Sequence, residues 1–245
     1  MPGRGGPSRV RALPIFGVGA CLAVSAVLFA SHAWTQPRQP ENQPPPPQQT
    51  PPQPTAPPQA QMQGDARRGK AISYTCLGCH GIDGYKNAYP MYSVPKLEGQ
   101  NPQYLEAALL GYRDGDRAHL TMHAQASTLS DQDIADIAAY FAGTPLKPTG
   151  KAPSSLPKAA TLCTSCHGAD GVAVAVIYPS LAGQHEDYLE RALQEYQKGG
   201  RNNPVMKTFA ATLKPDDIAV IAGYFSGLSP SLETEKRPYT RFGAE

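Results

Sequence analysis

Tryptophan occurs once, phenylalanine six times, and charged residues make up only 17% of the 245-residue chain. Cysteine is scarce as well. Five are too few and too dispersed to staple a small disulfide scaffold. No run of alternating β-branched residues suggests a sheet. After residue 35 no apolar run is long enough to cross a bilayer. Charge of one sign is also missing. The formal +2 divides into +3 over residues 1–63 and −1 over the rest, which excludes a basic nucleic-acid-binding surface. Residues 64–148 hold eight basic and nine acidic side chains, and residues 149–245 hold ten of each. Neither half can steer a partner strongly over long range.

What is present is uneven. Residues 13–33 are almost continuously apolar and follow Arg4, Arg9 and Arg11. They read as an uncleaved membrane anchor or a secretory signal peptide, with a small-x-small pattern at Ser31-His32-Ala33. A length of about 20 residues favours the anchor. Either way the arginines stay cytoplasmic and the remainder is exported. Cys21 reads as a small apolar residue within that segment. Residues 36–63 contain eleven of the 26 prolines and nine glutamines, and read as a disordered spacer without a core.

A repeat sets the architecture beyond residue 63. Residues 95–143 align with 179–227 at a constant offset of 84, pairing Pro-Lys-Leu-Glu-Gly-Gln with Pro-Ser-Leu-Ala-Gly-Gln. Upstream the offset is 87, pairing Cys76-Leu-Gly-Cys79-His80 with Cys163-Thr-Ser-Cys166-His167, so the first copy carries three extra residues near 89–94. A period this long marks a duplicated domain. Within each copy the pattern is helical. Asn101-Pro102 opens a helix on which Tyr104, Leu105, Ala108, Leu109 and Tyr112 recur at 3.6-residue spacing. Ser130-Asp131-Gln132-Asp133 resembles a capping box ahead of Ile134, Ile137, Ala138 and Phe141. Pro215-Asp216-Asp217 opens the equivalent helix in the second copy. The expected fold is all-α.

The chemistry lies in C-x-x-C-H. Two thiols add to the two vinyl groups of a haem, and the adjacent histidine ligates the iron from one side. Two such motifs at equivalent places in a repeat are not a chance event. Zinc would lack a fourth ligand, and a thioredoxin-like site would need a βαβ context. Met122 and Met206 are the only methionines that the repeat pairs, 42 and 39 residues after their histidines, each expected in a loop between helices. They are the candidate second axial ligands. His119 and His123 flank Met122 as alternative donors, but their counterparts are Asn203 and Lys207. Met91 has no partner and reads as packing.

These motifs, with GDARRGKAISYTCLGCHG, VPKLEGQNPQYL, GDRAHLTM and LSDQDIADIAAYFAG and their second-copy equivalents, resemble the class I c-type cytochromes. In two-domain form they resemble the diheme cytochrome c4 family. The resemblance covers residues 64–228 and implies two tandem class I cytochrome c domains with two covalently bound haem c groups. It further implies that the carbonyls of Pro95 and Pro179 receive the proximal histidines, and that Arg117 and Arg201 pair with haem propionates. The expected layout is a signal or anchor over 1–35, a spacer over 36–63, domains over 64–148 and 149–232, and a tail over 233–245. The expected role is electron transfer, not catalysis, because both axial positions are filled. The resemblance names a quinol-oxidising complex as donor and a haem–copper terminal oxidase as acceptor. The expected place is the periplasmic side of the bacterial inner membrane, held there by the N-terminal anchor. A soluble periplasmic form after signal cleavage is the alternative. A fixed cytochrome subunit of an oxidase or dehydrogenase is the second functional reading, and a diheme peroxidase the third.

Overall fold

The computed structural model describes residues 63–150, 153 and 155–236, all within one compact unit. Nine α-helices are found among these residues: α1 Ala66–Ile72, α2 Leu77–His80, α3 Pro102–Asp114, α4 Leu120–Ala126, α5 Asp131–Ala142, α6 Thr164–His167, α7 Glu186–Lys198, α8 Pro204–Ala210 and α9 Pro215–Ser226. Among the described residues there are only isolated β-bridges. The fold is all-α, with two tandem copies. In each, a long helix (α3 or α7) packs against a closing helix (α5 or α9), and a one-turn helix (α2 or α6) ends at the histidine of the C-x-x-C-H motif.

The expected caps explain where helices start and stop. Ser130 accepts from the Asp133 backbone N–H while the Asp133 carboxylate accepts from the Ser130 N–H, a complete capping box for α5. Helix α3 ends before Gly115, whose φ of +89° lies in the left-handed region that terminates helices. Asn101 occupies the N-cap position of α3, yet its side chain does not cap the helix. Its Nδ2 instead donates to the Tyr178 carbonyl of the second copy at 2.7 Å.

The copies differ at their first helix. In copy one, α1 crosses α5 so closely that a Cβ on Gly69 would lie 1.9 Å from the Asp136 carbonyl oxygen. Arg68 ion-pairs with Asp136 and Asp133 across this crossing. Asp136 is fully buried; it accepts from the Asp65 N–H at 2.7 Å and from Gln132 at 2.8 Å. In copy two the corresponding stretch holds Pro153 and Pro157, which withhold two backbone donors. Among the described residues of that stretch only a 3-10 turn, Lys158–Ala160, forms. The cores are otherwise equivalent. Leu77, Leu105, Ile137, Ala138, Phe141 and Ala142 fill the first; Ala160, Leu189, Ile221, Ala222 and Phe225 fill the second.

The three-residue insertion forms a hairpin-like loop, with Asn87 and Val94 N–H groups donating to the Tyr92 and Tyr85 carbonyls. This loop reaches the second copy. Ser93 donates through both N–H and Oγ to Asp187 on α7, each at 3.0 Å. Met91 on the same loop is 76% exposed, so its reading as packing is corrected: it stands at the loop tip, beyond the Tyr92 side chain that is buried. The chain's last described residues return to the first copy. Leu232 is fully buried, Glu233 pairs with Glu98 through both backbone hydrogen bonds, and Tyr140 donates to Glu235 at 3.0 Å.

The anchored localisation is also corrected. Among the described residues no helix is long and apolar enough to cross a membrane. Residues 13–33, Cys21 and the spacer over 36–62 lie outside the described residues, so no described element supports a transmembrane anchor.

Candidate functional site

Each C-x-x-C-H motif is one helical turn. The His80 N–H donates to the Cys76 carbonyl at 2.9 Å, and the His167 N–H to the Cys163 carbonyl at 3.0 Å. Spacings of three and four residues on such a turn set both sulfurs and the imidazole on one face. None of the four cysteines is in a disulfide. Burial holds the Cys76 and Cys163 thiols above the ordinary thiol range.

The two histidines sit in matching surroundings. His80 Nδ1 lies 3.0 Å from the Pro95 carbonyl oxygen, and His167 Nδ1 2.8 Å from that of Pro179. A carbonyl only accepts, so Nδ1 carries the proton and Nε2 keeps its lone pair. Burial pushes both imidazoles below the usual histidine value, against the opposing pull of the proline carbonyls. Phe141 and Phe225, equivalent in the repeat, stand edge-on to the two rings at 6.3 and 6.5 Å. Two thiols and a neutral imidazole with a free Nε2 on one face are a donor set that fits a covalently attached haem with one axial nitrogen.

Met122 and Met206 are half-buried and stand on short helices, α4 and α8, where loops were expected. Side-chain caps account for the difference. His119 Nδ1 accepts from the Met122 N–H at 3.2 Å, and Asn203 Oδ1 from the Met206 N–H at 3.0 Å. Pro204 adds a preset φ at the first turn of α8. His123 Nδ1 is engaged by the Tyr112 carbonyl at 2.8 Å.

Arg117 and Arg201 meet at the junction of the copies, paired as an antiparallel bridge. Arg117 lies over Tyr104 and Tyr112, and Arg201 over Tyr188 and Tyr196. The sequence reading singled out the arginines as site residues and took Tyr104 and Tyr112 only as positions on a helix face. The repeat held the signal, since all three columns match at the offset of 84. Glu195, which pairs with Arg201 at 2.7 Å, was missed because it has no counterpart in the first copy.

The family model described as Cytochrome c matches residues 66–144. The model described as Cytochrome C oxidase, cbb3-type, subunit III matches residues 156–225. The chain is 37% identical over 190 residues to cytochrome c4 of Pseudomonas aeruginosa, covering 69% of this chain and 91% of that protein. It is 29% identical over 180 residues to a thiosulfate dehydrogenase electron acceptor of Thiomonas intermedia, covering 64% of this chain and 81% of that one. Its fold is similar to the crystal structure of reduced cytochrome c4 from Pseudomonas stutzeri, with a TM-score of 0.55 and 33% identity, covering 67% of this chain and 99% of that chain. Taken with the duplicated C-x-x-C-H turns, these similarities establish that the chain belongs to the cytochrome c4 family of diheme class I c-type cytochromes, electron-transfer proteins with two covalently bound haem c groups.

Proposed function

We propose that this chain carries electrons in the periplasm from a quinol-oxidising complex to a haem–copper terminal oxidase, with residues 64–148 and 149–232 as its two haem domains. Cys76 and Cys79 would attach one haem and Cys163 and Cys166 the other, with His80 and Met122, and His167 and Met206, as the axial pairs. The bound haem supplies reversible one-electron exchange at iron, and methionine as second ligand favours the ferrous state and a raised potential. The protein's own residues do the positioning. Pro95 and Pro179 hold the tautomer that presents Nε2, and the buried walls at Phe141 and Phe225 exclude water from that face.

The observation that carries this reading is the repetition of one histidine–proline geometry in both copies, each followed by a capped helix bearing a methionine. Two filled axial positions leave no place for a peroxide substrate. The test is stopped-flow mixing of the purified holoprotein with membranes of its own cell. Quinol-dependent reduction and oxygen-dependent reoxidation support the reading; reduction that is insensitive to quinol refutes the donor, and the absence of reoxidation refutes the acceptor.

A second reading is that the chain is a fixed cytochrome subunit of a dehydrogenase or oxidase. It is favoured by the similarity to a thiosulfate dehydrogenase electron acceptor and to a subunit III family of cbb3-type oxidases. Stoichiometric co-purification with a catalytic subunit separates it from a mobile carrier.

A further inference from the structure

Past α9 the chain leaves the second copy and crosses to the first. A Cβ on Gly183, whose φ is +68°, would overlap Ser231, so the crossing point is shaped to this segment. The Leu232 N–H donates to the Ala182 carbonyl at 2.9 Å, and its buried side chain lies beside Gly99. The next three residues each grip the first copy. Glu233 and Glu98 exchange both backbone hydrogen bonds, at 3.0 and 3.1 Å. Thr234 Oγ1 donates to the Asp83 carboxylate at 3.1 Å, and Glu235 accepts from the Tyr140 hydroxyl at 3.0 Å. Burial, and then this bond to Glu235, push the Tyr140 hydroxyl up to about 12, so it keeps the proton it donates.

The three grips converge on His80. Asp83 stands three residues after it, and Glu98 stands three after Pro95, whose carbonyl faces His80 Nδ1 at 3.0 Å. Tyr140 lies against Phe141, with ring centres 5.0 Å apart, and Phe141 stands edge-on to the His80 ring. The turn behind the histidine, the proline segment and the closing helix are thus each tied to the tail. The second copy repeats the clasp with the partners exchanged. Thr149, past α5, donates to Asp170 through its N–H and Oγ1 at 2.7 and 3.0 Å, and Asp170 is the counterpart of Asp83 at the offset of 87. In both directions, a threonine downstream of one closing helix holds the aspartate behind the other copy's histidine. Tyr224 closes on its own copy, at the Ala169 carbonyl, where the equivalent Tyr140 takes the tail's glutamate.

We propose that Glu233, Thr234 and Glu235 are positioning residues for electron transfer at the first haem: the tail of the second copy holds the Pro95 carbonyl against His80 and so fixes the imidazole offered to the iron. This rests on the diheme carrier reading. A histidine whose Nδ1–H is held by a carbonyl is the more basic ligand and favours ferric iron. Loosening that hydrogen bond therefore favours the ferrous state.

The test combines hydrogen exchange at residues 76–81 and 163–168 with redox titration of the intact holoprotein. Glu233→Pro removes the N–H that Glu98 accepts, and Glu235→Leu strips Tyr140 of its acceptor. Each is paired with glutamine at the same position, which loses the same charge but keeps the contact. With two haems bound, Glu233→Pro and Glu235→Leu should speed exchange at 76–81, leave 163–168 protected, and raise one midpoint while the other stays. The glutamine variants should exchange like the unaltered protein, and their midpoint should rise less. Equal rises in the paired variants make the effect one of charge alone and overturn the proposal. Faster exchange with both midpoints unmoved also overturns it, since the tail is then only a structural tie. Equal acceleration in both turns, or no change in either contact-breaking variant, does the same. A haem count other than two in the unaltered protein instead refutes the carrier reading beneath it.

Discussion

Gln100 of the first copy forms both hydrogen bonds of a backbone pair with Ser180 of the second: its Nε2 donates to the Ser180 carbonyl at 2.9 Å, and its Oε1 accepts from the Ser180 N–H at 2.8 Å. Gln184 does the same to Lys96, with distances of 3.0 and 2.9 Å. The two clasps are exchanged by the offset of 84. The glutamine that ends each Pro-x-Leu-x-Gly-Gln segment is thus an interdomain clasp, beyond its use as a marker of the repeat.

Gln100→Ala is therefore expected to weaken docking of the copies. Gln100 is 3% exposed, and the substitution leaves the Ser180 N–H and carbonyl without these partners, at a cost of about 2 kcal/mol. Hydrogen exchange at the Ser180 amide should accelerate while amides within α5 and α9 keep their protection. Uniform acceleration through both cores would show that the clasp supports the whole fold rather than the junction.

Gly69→Ala should destabilise the first copy selectively. The new methyl would meet the Asp136 backbone oxygen, which cannot move without displacing α5, so a cost of roughly 3 kcal/mol is expected. Thermal melts should show the first copy unfolding earlier and the second unchanged. An unaltered melt would mean that α1 and α5 do not cross at Gly69.

The same crossing sets an acid response. The Ser130 hydroxyl and N–H, followed by Arg68, hold the Asp133 carboxyl at about 2. The Asp65 N–H, with Arg68 and Gln132, holds Asp136 below the usual carboxylate value against its desolvation. Both folded values lie below the unfolded value of about 3.9. Their stabilisation is complete above that value and is lost as pH falls toward 2. Copy two has Val220 in place of Asp136 and Ser155 in place of Arg68. Asp136→Asn should shift acid unfolding of the first copy to higher pH and leave the second where it was, as followed by circular dichroism.

Met122→Ala and Met206→Ala should each open one iron while leaving its haem attached. Each variant should lose half of the near-infrared methionine–iron band and lower one midpoint. Full band intensity in both variants would refute the proposed axial pairs.

The positions of the long and closing helices were legible in the sequence because they depend on local chemistry. The 3.6-residue spacing from Tyr104 to Tyr112, the Ser130 box and Gly115 each act within one or two turns. The proline carbonyls facing His80 and His167 were legible only through family resemblance, since no spacing rule predicts a contact across 15 or 12 residues. Helices α4 and α8 escaped notice for a physical reason. Seven residues are too short for periodicity to register, and His119 is an unusual cap. The junction was illegible because Gln100, Gln184 and Glu195 look like solvated polar residues until the second copy is placed against the first. Met91 went the other way: an apolar residue that the sequence placed inside stands outside, on a loop whose neighbours Tyr92 and Ser93 face the second copy.

The central claim is that each copy holds its own covalently attached haem, and intact mass under denaturing conditions tests it most directly. Unfolding breaks the axial bonds and keeps the thioethers. The holoprotein should weigh its polypeptide plus two haems, with Cys79→Ser and Cys166→Ser each impairing attachment in one domain and leaving the other's haem bound. A polypeptide carrying one haem, or none, would contradict the account.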